Sequence, residues 1–165
     1  MILGMSLATI TLAHVIISLI AIVTGLIAMF GLLGSKQMPG ITAIFLLFTI
    51  LTNATGFLFP FTQLLPSHMI AILSLVLLAI ACIALYAMQL AGVWRSIYVV
   101  TALTAQWLNV FVLIIQLFLK VPSLHALAPG APPTGPVFGG VQGAVLIFFL
   151  VCGFLAVRRF HPRPM

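Results

Sequence analysis

The chain contains no aspartate or glutamate, and only six of its 165 residues are lysine or arginine. Without a side-chain carboxylate it has no acidic general base, no carboxylate ligand for Mg²⁺ or Ca²⁺ and no acidic proton relay. Glycosidases, aspartic proteases, phosphoryl-transfer enzymes and carboxylate-driven antiporters are therefore excluded, unless a partner subunit supplies the acid. Charged residues make up 4% of the chain, against roughly 25% in a soluble domain. Most of the surface must consequently face lipid.

Cysteine and clustered positive charge are also scarce. The two cysteines, Cys82 and Cys152, lie inside apolar runs without the CxxC spacing of a redox or zinc motif. We predict that they are small helix-packing residues. The positive residues stand singly between apolar runs or at the C-terminus, which excludes the basic groove of a nucleic-acid-binding protein. We therefore expect the lipid bilayer, and no nucleic acid, as a partner.

Hydrophobic residues are abundant, at 64% of the chain. A spanning helix needs roughly 20 apolar residues, because each adds about 1.5 Å across a hydrocarbon core of roughly 30 Å. Five stretches meet this length and predict an all-α, single-domain membrane bundle over residues 1–165: about 6–33, 41–59, 67–90, 97–119 and 137–157. Residues 121–136 hold five prolines, which lack the N–H that a helix needs. This segment is predicted to be an extended or turn-rich outer loop.

Positive residues are distributed unequally between the two sides of the predicted membrane. One side holds five of them: Lys36, Arg95, Arg158, Arg159 and Arg163. Only Lys120 falls on the other side. An excess of positive residues is typical of the cytoplasmic side, so we predict that the N-terminus is outside and the C-terminus cytoplasmic, in a cell inner membrane. Trp94 and Tyr98 are predicted to anchor the cytoplasmic interface.

Small residues indicate where the helices pack, because lipid gives them no hydrophobic reason to associate. In the first span a stripe at helical spacing contains His14, Ser18, Ala21, Gly25 and Ala28. The last span opens with Gly139 and Gly143, a GxxxG spacing that favours close approach to a neighbouring helix.

Four amide side chains are predicted to point into the bundle. They are Asn53 on the second span and Gln106, Asn109 and Gln116 on the fourth. An unpaired amide in hydrocarbon costs several kcal/mol, so each should find a partner inside the protein. The simplest arrangement places the second and fourth spans together, with Asn53 near Asn109 or Gln106.

Three of the four histidines fall on the predicted outer side: His14, His68 and His125. Two imidazoles from neighbouring helices are usual axial ligands of a b-type haem, which makes His14 and His68 candidate haem ligands. Alternatively the three histidines, with His125 as the third ligand, hold copper or zinc. A structural role, with the rings hydrogen-bonded to backbone or water, accounts for the same residues.

Several short motifs lie at the predicted span ends and in the fourth span. They are TGFLFPF at 55–61, LLPSH at 64–68, residues 90–118 with WR at 94–95 and LNVFV at 108–112, and KVP with LAP between 120 and 129. These segments resemble a family of small polytopic inner-membrane proteins of proteobacteria to which no function is assigned. The resemblance implies a multi-pass inner-membrane protein and brings no activity, cofactor or site residue.

We predict a non-catalytic membrane subunit or accessory protein that works by helix packing with other membrane subunits or with itself. A respiratory or redox complex is one setting for it. The first alternative is a membrane protein that binds b-type haem or a metal through His14 and His68. The second is a carrier of a small neutral or anionic solute along the Asn/Gln faces. A hydrolase is disfavoured, because the serines near histidines lack an acidic residue to orient a catalytic base.

Overall fold

The computed structural model describes residues 4–163, and within that range it is helical without a β-strand. Six α-helices follow one another along the chain: α1 (Leu7–Leu33), α2 (Pro39–Gly56), α3 (Pro66–Cys82), α4 (Trp94–Lys120), α5 (Pro122–Leu127) and α6 (Pro136–Arg159). A single turn of π-helix, Ile83–Ala87, continues α3 without a break.

Five helical segments of the described chain are long and apolar enough to cross a membrane. They are α1, α2, α3 with its π-helical turn, α4 and α6, with lengths between 18 and 27 residues. Their outward faces carry large apolar side chains such as Leu12, Ile147 and Leu150, each more than 60% exposed. Such exposure suits lipid and not water. The prediction of an all-α, five-span, multi-pass membrane bundle is confirmed.

Several helix bounds differ from the predicted spans by up to three residues. Helix α2 ends at Gly56, three residues early, because the chain turns there before Pro60. The third span ends at Ala87 and not at residue 90, where the backbone of Gln89 and Leu90 becomes left-handed. The expectation of an extended or turn-rich loop is wrong for Pro122–Leu127, which form α5. Proline is tolerated at the first helical position because the N–H it lacks has no intrahelical partner there.

Helix α4 lies at the centre of the bundle. It packs against α1, α3, α5 and α6 and touches α2, while α1 packs along α2. Successive spans run in alternate directions, so the bundle has two ends. The Lys36 end contains the C-terminal ends of α1, α6 and the π-helical turn, together with the N-terminal ends of α2 and α4. The His14 end is the opposite one and contains α5.

The hydrophobic core is concentrated toward the Lys36 end. Met29, Leu78, Val99, Ala105 and Ala156 belong to its main cluster and are fully buried. A second, smaller cluster at the His14 end is built on Ile114, Phe118 and Ala128. Alanines on α3, α4 and α6 let the helices approach closely around the main cluster, as expected where helices pack in a membrane.

Candidate functional site

His14 is held by a hydrogen bond that fixes its tautomer. Its Nδ1 lies 2.7 Å from the Thr55 hydroxyl oxygen. That hydroxyl donates its only hydrogen to the Leu51 carbonyl, 2.8 Å away, so it must accept from the His14 Nδ1–H. The lone pair of His14 Nε2 is therefore left free, in the form that a metal or haem iron requires.

His68 shows the opposite arrangement. Its Nδ1 accepts a hydrogen bond from the Leu65 backbone N–H at 3.0 Å, and so caps the start of α3. The ring is 5% exposed and packs between Phe57 and Phe61, at centroid distances of 5.4 and 4.3 Å. In a neutral ring the proton then lies on Nε2, which removes the lone pair that an iron ligand needs. The site therefore fits a haem ligand at His14 and does not fit one at His68.

His125 lies on α5 and ties this helix to the end of α4. Its Nδ1 donates to the Phe118 carbonyl at 3.2 Å. Across residues 4–163, no three histidine, cysteine or acidic side chains come together in a metal-binding arrangement. The hypothesis of a three-histidine copper or zinc site is therefore wrong, because each of its histidines is bound to a different part of the backbone or to Thr55.

Three of the four predicted amides link helices. Gln106 on α4 donates to the Ile22 carbonyl of α1 at 2.8 Å, and Asn109 donates to the Thr49 hydroxyl of α2 at 3.2 Å. The contact between α2 and α4 is thus confirmed. Asn53, however, donates to the Ser74 hydroxyl of α3 at 3.0 Å, so its predicted pairing with Asn109 or Gln106 is wrong. Spacing along one helix shows which amides share a face, but it does not show which neighbouring helix each amide contacts.

Gln116 is exposed, and its predicted place inside the bundle is wrong. The reason is the length of α2. Gln116 lies seven residues beyond Asn109, and Gly56 lies seven residues beyond Thr49, the residue that Asn109 contacts. Because α2 and α4 run in the same direction, Gln116 is level with the point where α2 ends. No helix of the described chain extends α2 to cover it.

The small-residue stripe of α1 is buried at Ala21, Gly25 and Ala28, as predicted. A β-carbon at Gly25 would collide with the Gln106 side-chain amide oxygen and the Phe45 ring. This glycine therefore lets side chains of α2 and α4 pack directly against the backbone of α1. The Gln106 Oε1 atom is buried there without a hydrogen-bond partner among the described residues.

The glycines of α6 are in a different position. A β-carbon at Gly139, Gly140 or Gly143 would meet nothing within 4 Å. The GxxxG spacing thus has no close neighbour in the described part of the chain. Beside the glycines on the same helix, Gln142 donates to the Phe111 carbonyl at 3.1 Å and Phe138 packs edge-on against Phe118. These contacts join α6 to α4, while the glycines themselves have no neighbour among the described residues within 4 Å of an ideal β-carbon position.

The Lys36 end contains features that the sequence pattern did not indicate. Arg95, predicted only as an orientation signal, donates to the Val157 carbonyl at 2.7 Å and to the Phe160 carbonyl at 2.5 Å. The residues after α6, 160–163, are the C-terminal segment. The His161 N–H donates to the Ser35 hydroxyl at 2.9 Å, so this segment crosses the end of the bundle. Carbonyls at the end of α6 thereby gain a charged donor.

A cavity of about 130 Å³ opens beside this segment. Tyr98 lines it and is 2% exposed, so its predicted role as an interfacial anchor is wrong. Sequence spacing did not indicate this region, because Lys36, Thr42 and Tyr98 meet there only through the packing of separate segments of the chain.

No family model, curated protein or solved structure matches the chain.

Proposed function

We propose that the chain is a non-catalytic, multi-pass subunit of the bacterial inner membrane that works by helix packing, with a second copy of itself as its partner. The observation that carries this proposal is the open glycine face of α6, formed by Gly139 and Gly143. Small residues at this spacing let two helix backbones approach closely, which is a main source of helix association in lipid.

Self-association suits this face for two reasons. A GxxxG face is complementary to itself, and two-fold pairing is the commonest form of closed association. The charges also permit it. Arg158 lies about 25 Å along the helix from the midpoint of the two glycines, at 1.5 Å per residue. At a crossing angle of about 40°, the two Arg158 residues of a dimer would be roughly 17 Å apart, beyond the Debye length of about 8 Å.

The interior supports a structural role over a carrier. Gln106, Asn109 and Asn53 each donate a hydrogen bond to a different neighbouring helix. Amides engaged in this way hold a bundle together and do not line an open path. The absence of aspartate and glutamate, and with them of an acidic side chain for general acid–base catalysis, also supports a non-enzymatic role.

The test of self-association compares two variants that are altered in the same part of α6, near its N-terminal end. Gly139→Leu with Gly143→Leu fills the open face, while Ala144→Leu places a leucine at an exposed position on another side of the helix. Single-molecule photobleaching in lipid vesicles should show dimers for the wild type and for Ala144→Leu, and monomers for the double variant. A monomeric wild type at every protein-to-lipid ratio would overturn the proposal.

Membrane orientation belongs to the same proposal. Five of the six cations lie at the Lys36 end of the bundle, and Lys120 lies at the His14 end. The excess of positive residues supports an N-terminus outside and a cytoplasmic Lys36 end. A cysteine placed at Ser123 should react with a membrane-impermeant maleimide in intact cells, and one placed at Gln37 should not. The reverse labelling pattern would show the opposite orientation.

A further inference from the structure

The cavity at the Lys36 end is built from five separate parts of the chain. It lies between α1, α2, the π-helical turn and α4, and Phe160 of the C-terminal segment closes one side. Its volume of about 130 Å³ is well above the roughly 15 Å³ that a cavity needs to hold one water. It therefore has room for a small polar group.

Two hydroxyl groups form the floor of this cavity. Tyr98 and Thr42 are 2% and 8% exposed, and their hydroxyls lie beside one another. Thr24 and Thr101 donate to carbonyls one turn earlier, whereas Thr42 makes no such bond in the described structure. Each hydroxyl has one hydrogen, and adjacent hydroxyls can share one hydrogen bond, so the pair keeps at least one hydrogen to donate to a ligand oxygen in the cavity.

The rim of the cavity is cationic. Lys36 lines it and is exposed at its mouth, together with the amides of Gln37 and Gln89. The sequence has no aspartate or glutamate, so no acidic side chain of the chain can pair with the Lys36 ammonium. The cations concentrated at this end of the bundle raise the local positive potential further and attract anions from the membrane surface.

The backbone around the cavity is unusual. The π-helical turn supplies Leu85 and Tyr86 to the wall, and Gln89 and Leu90 adopt φ angles of 50° and 58°. Left-handed backbone at residues other than glycine is costly, and π-helical turns occur often at functional sites. Here the π-helical turn and the left-handed residues end α3 and orient Gln89 and Leu90 toward the cavity.

We infer that this cavity binds an anionic head group, a phosphate or carboxylate, with any apolar tail left in the surrounding lipid. The buried hydroxyl pair would donate its free hydrogen to an oxygen of the head group, and Lys36 would neutralise its charge. Leu32, Leu85 and Leu90 form an apolar wall suited to the first carbons of a tail. The same chemistry serves a membrane lipid or a free inorganic anion, and the experiment separates these sources.

The experiment measures binding to the purified full chain in a neutral detergent. Isothermal titration would use dihexanoyl phosphatidate, decanoate and inorganic phosphate, with zwitterionic dihexanoyl phosphatidylcholine as the uncharged comparison. We expect phosphatidate or decanoate to bind and phosphatidylcholine to bind at least tenfold more weakly. Phosphate binding as tight as phosphatidate would assign the site to a free anion, and weaker phosphate binding would assign it to a lipid.

Variants of residues that line the cavity, with one control at the opposite end, link the binding to the cavity. Lys36→Gln and Tyr98→Phe should each weaken anion binding about tenfold, because each removes one charge-assisted hydrogen bond. Lys120→Gln removes the same charge at the opposite end and should leave binding unchanged. Circular dichroism and gel filtration would establish that Tyr98→Phe is folded, and Thr42→Val gives a second test of the floor. Absence of anion binding, or equal binding in all variants, would overturn the inference.

Discussion

The two ends of the bundle are held together in different ways. At the Lys36 end the main core cluster fills the space between helices, Arg95 binds the end of α6, and the C-terminal segment bonds to Ser35. At the His14 end the core is small, α2 stops early and the glycines of α6 face open space. Apart from its cavity, the first end is closed by contacts within the chain, while the second has surface left for association. Matched substitutions test this difference.

The largest expected effect is at Gly25. Gly25→Val places atoms where the Gln106 amide and the Phe45 ring already lie, and overpacking of this kind costs about 3 kcal/mol. Gly140→Val adds the same atoms in open space and should cost well under ~1 kcal/mol. Unfolding in a series of SDS mole fractions, followed by circular dichroism, measures both. Equal losses for the two variants would show that the closely packed region is no tighter than the open face.

Arg95 gives the next largest effect. Arg95→Gln removes a charged donor from the Val157 and Phe160 carbonyls, which should cost about 2 kcal/mol. It should also release the C-terminal segment, so trypsin should cut faster after Arg158 and Arg159. Lys120→Gln, the matched change at the His14 end, should leave both readouts close to those of the wild type. Unchanged cleavage in Arg95→Gln would mean that the two Arg95 hydrogen bonds do not hold the C-terminal segment in place.

Sequence patterns predicted the parts of this fold that depend on local chemistry. Hydropathy gave five spans, and the proline content of residues 121–136 excluded a sixth. The stripe of Ala21, Gly25 and Ala28 was predicted because its members share one helix face. Pairing between helices was harder, because Asn53 can turn to either neighbour and only packing determines that Ser74 receives it. The cavity at Tyr98 was not predictable from spacing, since it depends on a left-handed turn and on the C-terminal segment.

His68 provides a smaller effect at the His14 end. His68→Ala frees the Leu65 N–H and removes a ring packed between two phenylalanines, and loss of such a cap costs about 1 kcal/mol. The loss should appear as earlier unfolding in SDS. His68→Asn keeps an acceptor near the same N–H and should recover part of the stability. If Asn restores nothing, the contribution of His68 comes from the ring contacts and not from the cap.

The optical spectrum tests the alternative role of the same histidines. Because His14 presents a free Nε2 lone pair and His68 does not, added haem should not form the six-coordinate spectrum of a bis-histidine b-type haem. Titration of the purified protein with haem, read in the Soret region, checks this. A bis-histidine spectrum that His68→Asn abolishes would require His68 to rotate away from Leu65 and would restore the haem hypothesis.

The smallest expected effect is the difference in stability between variants of two amides on α4, Asn109 and Gln116. Asn109→Leu removes the bond to Thr49, but that hydroxyl still donates to the Phe45 carbonyl and is not left without a partner. The expected cost is therefore only about 0.6 kcal/mol, the average for such bonds in a membrane. Gln116→Leu should cost nothing or stabilise slightly, because it replaces an exposed amide with an apolar side chain beyond the end of α2. A measurable loss from Gln116→Leu in the wild-type background, but not in the Gly139→Leu, Gly143→Leu background, would indicate that a second copy covers this end of α4.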